Sequence, residues 1–98
     1  MYVCSSTIYV TEDQARRVEA EVGDVVPAGL IAHVTGPVDD GGWHIVDLWE
    51  TEADWVAFSE QVLAPAVERA KQGEPLKPST GVRFTGTVVR RGKALTSV

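Results

Sequence analysis

Residues 41–58 read GGWHIVDLWETEADWVAF, and this stretch decides the fold. Two glycines close a turn, a short apolar strand follows at once, and the strand runs into a helix capped by Thr51. All three tryptophans of the chain, Trp43, Trp49 and Trp55, lie within these residues. Because each tryptophan can bury on the order of 200 Å², the place where they meet must be a hydrophobic core or a ligand pocket.

The segment before this stretch predicts a β-hairpin. Residues 36–42 (GPVDDGG) contain Asp-Gly between two apolar runs, which is a strong short-range hairpin signal. The two strands are predicted at 29–35 and 43–50, as antiparallel neighbours. Simple alternation places the residues of the first strand on two faces, with Leu30, Ala32 and Val34 on one and Ile31, His33 and Thr35 on the other.

The N-terminal part of the chain predicts a strand followed by a short helix. Residues 1–10 are rich in β-branched and aromatic types, and Thr11 and Gln14 then match a capping box. We expect the helix to end at Gly23. Its apolar stripe is Ala15, Val18 and Val22, and its solvated face is Arg16, Arg17, Glu19 and Glu21.

The second half predicts a longer helix and a last strand. Asp54 stands at the third position after the Thr51 cap, and Pro65 must kink or divide the helix that follows. A loop is expected around residues 73–78 and a strand at 82–89. The apolar positions of the helix are Trp55, Phe58, Val62, Leu63, Ala66, Val67 and Ala70.

The resulting order is β-α-β-β-α-β in a single domain, residues 1–98. It predicts an α+β, ferredoxin-like fold with a four-stranded antiparallel sheet and two helices on one face. The strand at 29–35 is apolar on both faces, so the face away from the helices needs a cover. A second copy of the chain is the simplest cover, and we expect a homodimer.

Composition excludes several classes of function. The net charge of −5 argues against a nucleic-acid partner, although Arg90, Arg91 and Lys93 cluster near the C-terminus. One cysteine, Cys4, excludes an internal disulfide, and two histidines with scattered carboxylates give no metal-ligand spacing. No signal peptide and no apolar run near the ~20 residues of a membrane span is present. We therefore expect a cytoplasmic protein without a metal or a membrane anchor.

The element order and the junction at residues 47–52 (DLWETE), followed by Trp55 and Phe58, resemble the dimeric α/β-barrel superfamily, and within it the antibiotic-biosynthesis-monooxygenase-like group. The resemblance implies that two sheets pair face to face as a barrel. It implies a role among cofactor-free oxygenases of aromatic polyketides, heme-degrading oxygenases, small isomerases and cyclases. The heme-degrading branch uses an Asn, a Trp and a His at places that hold Thr7, Phe58 and Glu68 here, so that activity is not expected.

His33 and Asp47 are the candidate catalytic residues. Each interrupts an apolar strand, and a neutral imidazole oriented by a carboxylate is a general base near pH 7. A hairpin with three loop residues, 39–41, places His33 opposite Asp47. A two-residue loop instead places His33 opposite Leu48 and separates the pair. The alternative interpretation is that the pair satisfies buried polar groups at a dimer interface.

Aromatic and hydroxyl side chains are the candidate ligand contacts. Trp43 and Trp49 share a strand face with Asp47 and form a candidate wall for a planar ligand, although core packing is the stronger interpretation for Trp49, as it is for the helical aromatics. The full set is Trp43, Trp49, Trp55, Phe58, Thr7 and Tyr9. Two hypotheses follow: a cofactor-free enzyme that removes a proton from a hydrophobic or aromatic metabolite through His33 (monooxygenase-, isomerase- or cyclase-like), or a non-catalytic ligand-binding or structural homodimer.

Overall fold

A computed structural model describes residues 1–24, 26–71, 79–89 and 92 of the chain. The elements follow the predicted β-α-β-β-α-β order, except that the second helix is divided. Their bounds are β1 (Tyr2–Ile8), α1 (Glu12–Val22), β2 (Leu30–Pro37), β3 (Trp43–Trp49), α2 (Glu52–Phe58), a π-helical segment (Ser59–Leu63), α3 (Ala64–Lys71) and β4 (Thr80–Thr85). The α+β ferredoxin-like class is confirmed.

Both predicted helix caps are present. The Thr11 hydroxyl accepts a bond from the Gln14 backbone N–H at 3.0 Å, and the Gln14 side chain accepts one from the Thr11 N–H at 2.9 Å. At the second helix the Thr51 hydroxyl accepts from the Asp54 N–H at 3.1 Å. These bonds satisfy N–H groups that have no partner within the helix.

Four strands form one antiparallel sheet in the order β2-β3-β1-β4. Register partners in such a sheet share a face, so each row of partners crosses the sheet on one side. One row consists of His33, Asp47, Cys4 and Arg83, in the order of the strands. This row lies on the face that the helices cover.

The hairpin between β2 and β3 has the three-residue loop. Val38 N–H donates to the Gly42 carbonyl at 3.0 Å, and Gly41 N–H donates to the Val38 carbonyl at 3.1 Å. Gly41 has φ +87°, a conformation that glycine adopts without the steric cost of a Cβ. The closed loop is therefore residues 39–41, and of the two registers that the sequence left open the structure has the one that pairs His33 with Asp47.

A bulge at the start of β2 corrects the predicted faces of that strand. Leu30 pairs with Trp49 and Ala32 pairs with Leu48, so one extra residue, Ile31, lies between the two pairs. A bulge of this kind reverses the alternation beyond it. As a result Leu30 packs on the helix-covered face against the core, and not beside Ala32 and Val34 as alternation predicts.

The second helix is divided ahead of Pro65, as its sequence predicts. Pro65 has no N–H to donate to the preceding turn, and the segment before it, Ser59–Leu63, is π-helical. The wider turn lets the helix continue into α3 (Ala64–Lys71). The predicted loop at 73–78 lies outside the described residues, and β4 begins earlier and ends earlier than the predicted 82–89.

The core is small and aromatic. Trp49 is 1% exposed, and Tyr2, Cys4 and Trp55 are buried around it, with Leu30, Phe58 and Leu63 packed against them. The face of the sheet away from the helices, called the open face below, carries the polar residues Ser5, Thr7 and His44 near the hairpin end. Its remaining side chains are largely apolar: Val3, Ala32, Val34, Val46, Leu48, Val82 and Phe84. No helix within the described residues is long and apolar enough to cross a membrane.

Candidate functional site

A cavity of about 760 Å³ lies between the helix-covered face of the sheet and the helices. Its size falls within the range of small-molecule sites. Its apolar lining comes from every layer of the fold, with Val18 and Val22 from α1, Leu30 and Ile45 from the sheet, and Leu63 and Val67 from the second helix.

His33 and Asp47 meet at the wall of this cavity. Nδ1 of His33 lies 2.5 Å from Oδ1 of Asp47, on the neighbouring strand, and both residues line the cavity. Asp47 is 6% exposed, whereas the His33 side chain is 35% exposed. The buried carboxylate accepts the Nδ1 proton, which leaves Nε2 as the nitrogen that can exchange a proton with another group.

Nε2 of His33 has a partner that the sequence reasoning missed. It lies 3.3 Å from Oε1 of Glu19, on α1. Partial burial lowers the pKa of His33, but the hydrogen bond and charge of Asp47 and the charge of Glu19 raise it by more, so the net shift is upward from 6.5. Glu19 is exposed, as predicted for this face of α1, but the sequence did not indicate its contact with His33, which arises because α1 packs beside the strand that carries His33.

Other residues predicted on that solvated face also contact other elements. Arg17 donates to the Ala70 carbonyl of α3 at 3.1 Å, and Glu21 accepts from Arg69 at 2.6 Å. These contacts tie α1 to α3 along one side of the cavity.

Four of the six predicted ligand contacts line the cavity. Trp49, Trp55 and Phe58 form an aromatic cluster whose ring centroids are 5.3–6.4 Å apart. They belong to the core and to the cavity wall at once, so the core and ligand interpretations do not exclude each other. Tyr9 follows the end of β1 and also lines the cavity.

The other two predicted contacts, Trp43 and Thr7, are not among the lining residues. Trp43 pairs with Pro37 at the hairpin end of the sheet. It lies on the same face as Ile45, two residues closer to the hairpin loop. Thr7 lies on the open face, where its hydroxyl bonds Nδ1 of His44 at 2.8 Å.

His44, on the open face, has both ring nitrogens occupied. Ser5 bonds its Nε2 at 2.9 Å, and Thr7 bonds its Nδ1. His44 and Thr7 are not among the residues that line the cavity, although Ser5 is. His44 therefore offers a histidine variant that leaves the cavity untouched.

Two further side chains in the row of His33 line the cavity. Cys4 is buried, which raises the pKa of its thiol, while the adjacent Arg83 lowers it in part. The guanidinium carbon of Arg83 lies 5.1 Å from the ring centroid of Trp55. Sequence reasoning passed over Arg83 because nothing local distinguishes an arginine on a strand; only its register opposite Cys4 brings it to the site.

The described residues hold no group of three His, Cys, Asp or Glu side chains that could bind a metal ion. Asp47 and Glu19 lie against opposite nitrogens of the His33 ring, so the three side chains do not converge on one point. The arrangement favours proton transfer over metal ligation.

Comparison with known proteins identifies the fold. No protein-family model matches the sequence, and no curated protein matches it. Among solved structures, the chain is similar to a protein from Nitrosomonas europaea described as an antibiotic biosynthesis monooxygenase (TM-score 0.64, 17% identity, 88% of this chain and 98% of the other covered).

Two further structures represent different activities. One is MhuD, a heme degrader from Mycobacterium tuberculosis with two hemes bound in its active site (TM-score 0.58, 21% identity, 94% and 100% covered). The other is SnoaB, a cofactor-independent oxygenase from Streptomyces nogalater (TM-score 0.56, 16% identity, 91% and 95% covered). At these identities the likeness establishes the fold, which is that of the antibiotic-biosynthesis-monooxygenase-like proteins.

Proposed function

We propose that this chain is a small cofactor-independent enzyme that removes a proton from a hydrophobic or aromatic metabolite, with His33 as the general base. The observation that carries the proposal is the His33–Asp47 pair at the wall of a cavity of about 760 Å³ whose lining includes many aromatic and aliphatic side chains. Similarity in fold to a cofactor-independent oxygenase supports the same reaction class.

The roles of the two residues follow from their contacts. In neutral His33, Nδ1–H donates to Asp47, and the lone pair of Nε2 can take a proton from a ligand that displaces Glu19. Asp47 fixes the ring and stabilises the imidazolium that forms, as the carboxylate does in a catalytic triad. Trp55 and Phe58 offer ring surface against which a planar ligand can pack, and the buried Trp49 packs against both rings.

Proton removal next to a carbonyl or aryl group leaves a carbanion or enolate. That anion can be protonated at another carbon, attack a carbonyl within the same molecule, or react with dioxygen, and the first step is common to isomerase-, cyclase- and monooxygenase-like reactions. The proposal therefore concerns the proton transfer and the ligand class.

The proposed assembly is a homodimer whose sheets pair through the open face. On that face Val34 is 64% and Phe84 is 51% exposed, an apolar surface of the kind that marks an interface. Pairing would close the two sheets into a barrel. The lone cysteine, Cys4, is free and buried, which fits the expected cytoplasmic location.

The alternative is a ligand-binding or structural dimer without catalysis. It is favoured by the contact of Nε2 with Glu19, since a histidine with both ring nitrogens occupied is a satisfied polar group. The enzyme requires that the ligand displace Glu19 from Nε2, whereas the alternative requires the contact to persist.

A proton-exchange experiment tests the proposal. Anthrone is flat and hydrophobic, and its ring methylene protons are acidified by flanking rings and a carbonyl. In anaerobic deuterated buffer, where oxidation is excluded, the protein is expected to accelerate exchange of these protons, followed by NMR. Replacement His33→Ala is expected to reduce the catalysed rate by about 10²–10⁴-fold, the usual contribution of a general base.

The matched control is His44→Gln, which alters the other histidine on the far side of the sheet and should leave the rate unchanged. Circular dichroism establishes that both variants fold. If wild type does not accelerate exchange, or if folded His33→Ala exchanges as fast as wild type, His33 is not the base and the alternative is supported.

A further inference from the structure

Three side chains form a line from the interior of the fold to solvent. Oδ1 of Asp47 lies 2.5 Å from Nδ1 of His33, and Nε2 of the same ring lies 3.3 Å from Oε1 of Glu19. The exposed fraction of the side chain rises along this line, from 9% for Asp47 through 35% for His33 to 58% for Glu19. All three residues line the cavity. The imidazole therefore lies between a buried carboxylate and one that water reaches.

Glu19 differs from the other carboxylates of α1 in its partner. Glu12, Asp13 and Glu21 each form an ion pair with an arginine. The carboxylate of Glu19 instead contacts the imidazole of His33, on β2. Contacts between catalytic groups are often this long before a ligand binds. A carboxylate beside the reactive nitrogen of a base is placed to take a proton from it.

The backbone of α1 is held on both sides of Glu19. Two residues earlier, Arg17 donates to the carbonyl of Ala70 at 3.1 Å, and two residues later, Glu21 accepts from Arg69 at 2.6 Å. Both contacts join α1 to α3, so the Cα of Glu19 keeps its place beside the cavity. The side chain can leave Nε2 for a ligand and return to it by rotation between its own rotamers, without a movement of the helix.

A general base must release the proton that it has taken before it can act again. Nδ1 of His33 donates to Asp47, so a proton taken from a ligand is carried by Nε2. Asp47 is buried and offers that proton no route to water. The exposed carboxylate of Glu19 is the group that lies against Nε2.

We propose that Glu19 relays the proton between Nε2 of His33 and solvent, as a further catalytic residue of the site. The inference rests on the proposed function, in which His33 is the base. The C–H bond of the ligand breaks, its electron pair stays on the ligand carbon, and the proton binds Nε2. Glu19 then accepts that proton on Oε1, which returns the imidazole to its neutral form, and gives it to water. In deuterated buffer the same steps in reverse deliver a deuteron to the carbon.

Exchange of the anthrone methylene protons in anaerobic deuterated buffer, followed by NMR, tests the relay. Glu19→Gln keeps the shape of the side chain, but its amide cannot carry the proton. At low buffer concentration we expect this variant to exchange about ten-fold more slowly than wild type, a smaller loss than that of the base itself because water can still accept the proton directly. Rates are compared at a pD where His33 is neutral in both proteins, so a change in its pKa does not account for the loss.

Chemical rescue separates a relay from a structural contact. Acetate supplies the carboxylate that Glu19→Gln lacks, so it should restore most of the exchange rate of the variant and leave that of wild type unchanged, once the rate without protein is subtracted. Glu19→Asp keeps a shorter carboxylate, so it should lose part of the rate and regain it with acetate even if Glu19→Gln folds poorly. The matched control is Glu12→Gln, which alters a carboxylate of similar exposure on the same helix and should exchange as wild type does.

Each other result overturns a defined proposal. If folded Glu19→Gln exchanges as fast as wild type or faster, or if acetate restores neither variant, Glu19 is not a relay and His33 remains the proposed base. If wild type does not accelerate exchange, the proposed function fails and the relay fails with it.

Discussion

At the scale of single residues, the site is defined by a histidine between two carboxylates of different exposure. Asp47 is buried beneath the ring and bonds Nδ1, while the Glu19 side chain is 58% exposed and lies against Nε2. A buried carboxylate is screened less by water than an exposed one. Asp47 should therefore dominate the electrostatics of His33, and Glu19 should modulate access to Nε2.

We predict that NMR titration will place the pKa of the His33 imidazole above 6.5, that Asp47→Asn will lower it, and that Glu19→Gln will lower it less. Because the proposed base acts in its neutral form, the exchange rate should rise with pH through this pKa. The rising limb should move to lower pH in both variants. His44→Gln removes the other imidazole signal and so assigns the spectrum.

The raised pKa of His33 determines how its contribution to the unfolding free energy changes with pH. A folded-state pKa above the unfolded one means that the His33 contacts stabilise the fold fully below the unfolded pKa. The contribution is lost as pH rises through the folded pKa. The difference in unfolding free energy between wild type and His33→Gln should shrink over that window, and a difference that grows with pH would contradict the assigned contacts.

At the scale of elements, the start of β2 contacts the start of α2, although β3 separates them in the chain. This contact depends on close packing around Gly29, the residue before β2. The Gly29 carbonyl accepts from Glu50 N–H at 2.8 Å, and Gly29 itself has φ +81°. A Cβ added there would lie 2.2 Å from Oδ2 of Asp54, which also accepts the Thr51 hydroxyl bond at 2.8 Å. The capped helix start thus packs directly on the strand that carries His33.

We predict that Gly29→Ala lowers the unfolding free energy by roughly 2–4 kcal/mol, because it combines backbone strain with a steric clash. Gly23→Ala has a similar φ of +78° but no atom within 4 Å of the added Cβ, so it should cost roughly 1 kcal/mol. Gly36→Ala has neither problem and should stay within roughly 0.5 kcal/mol. Urea denaturation measures all three, and equal costs for Gly29 and Gly23 would contradict the packing described.

At the scale of the whole molecule, the helices cover one face of the sheet and the open face has no cover within the described residues. The exposed large apolar side chains there, Val34, Val82 and Phe84, come from β2 and β4, the two edges of the sheet. A single copy of the chain has no further helix among the described elements to lie over them. A second copy of the chain would remove this apolar surface from water without any additional helix or strand.

We predict that wild type sediments as a dimer and that Val34→Glu weakens the dimer about 100-fold or more, because symmetry buries the new charge twice. The matched control is Val56→Glu, an exposed valine on α2 outside the open face, which should remain dimeric. Analytical ultracentrifugation decides between these outcomes. A monomeric wild type would remove the barrel from the proposal.

Local interactions explain what could be predicted from the sequence. Thr11 and Thr51 cap helices through bonds to residues three positions away, and the Asp-Gly turn joins adjacent strands, so the order and type of the elements follow from short-range patterns. Even Pro65 shows where the second helix must change its winding, because a missing N–H acts within one turn.

The contacts between the side chains of the site could not be predicted, because they join residues that are distant in the sequence. The sequence left two registers for His33, and only the closed loop at residues 39–41 brings it opposite Asp47. Glu19 and Arg83 reach the site from elements distant in sequence, and the cavity exists because helices and sheet stand apart at a distance that no local pattern encodes. By itself the sequence determined the elements and their order; the tertiary structure decided which side chains meet, because contacts across strands and between layers depend on register and packing.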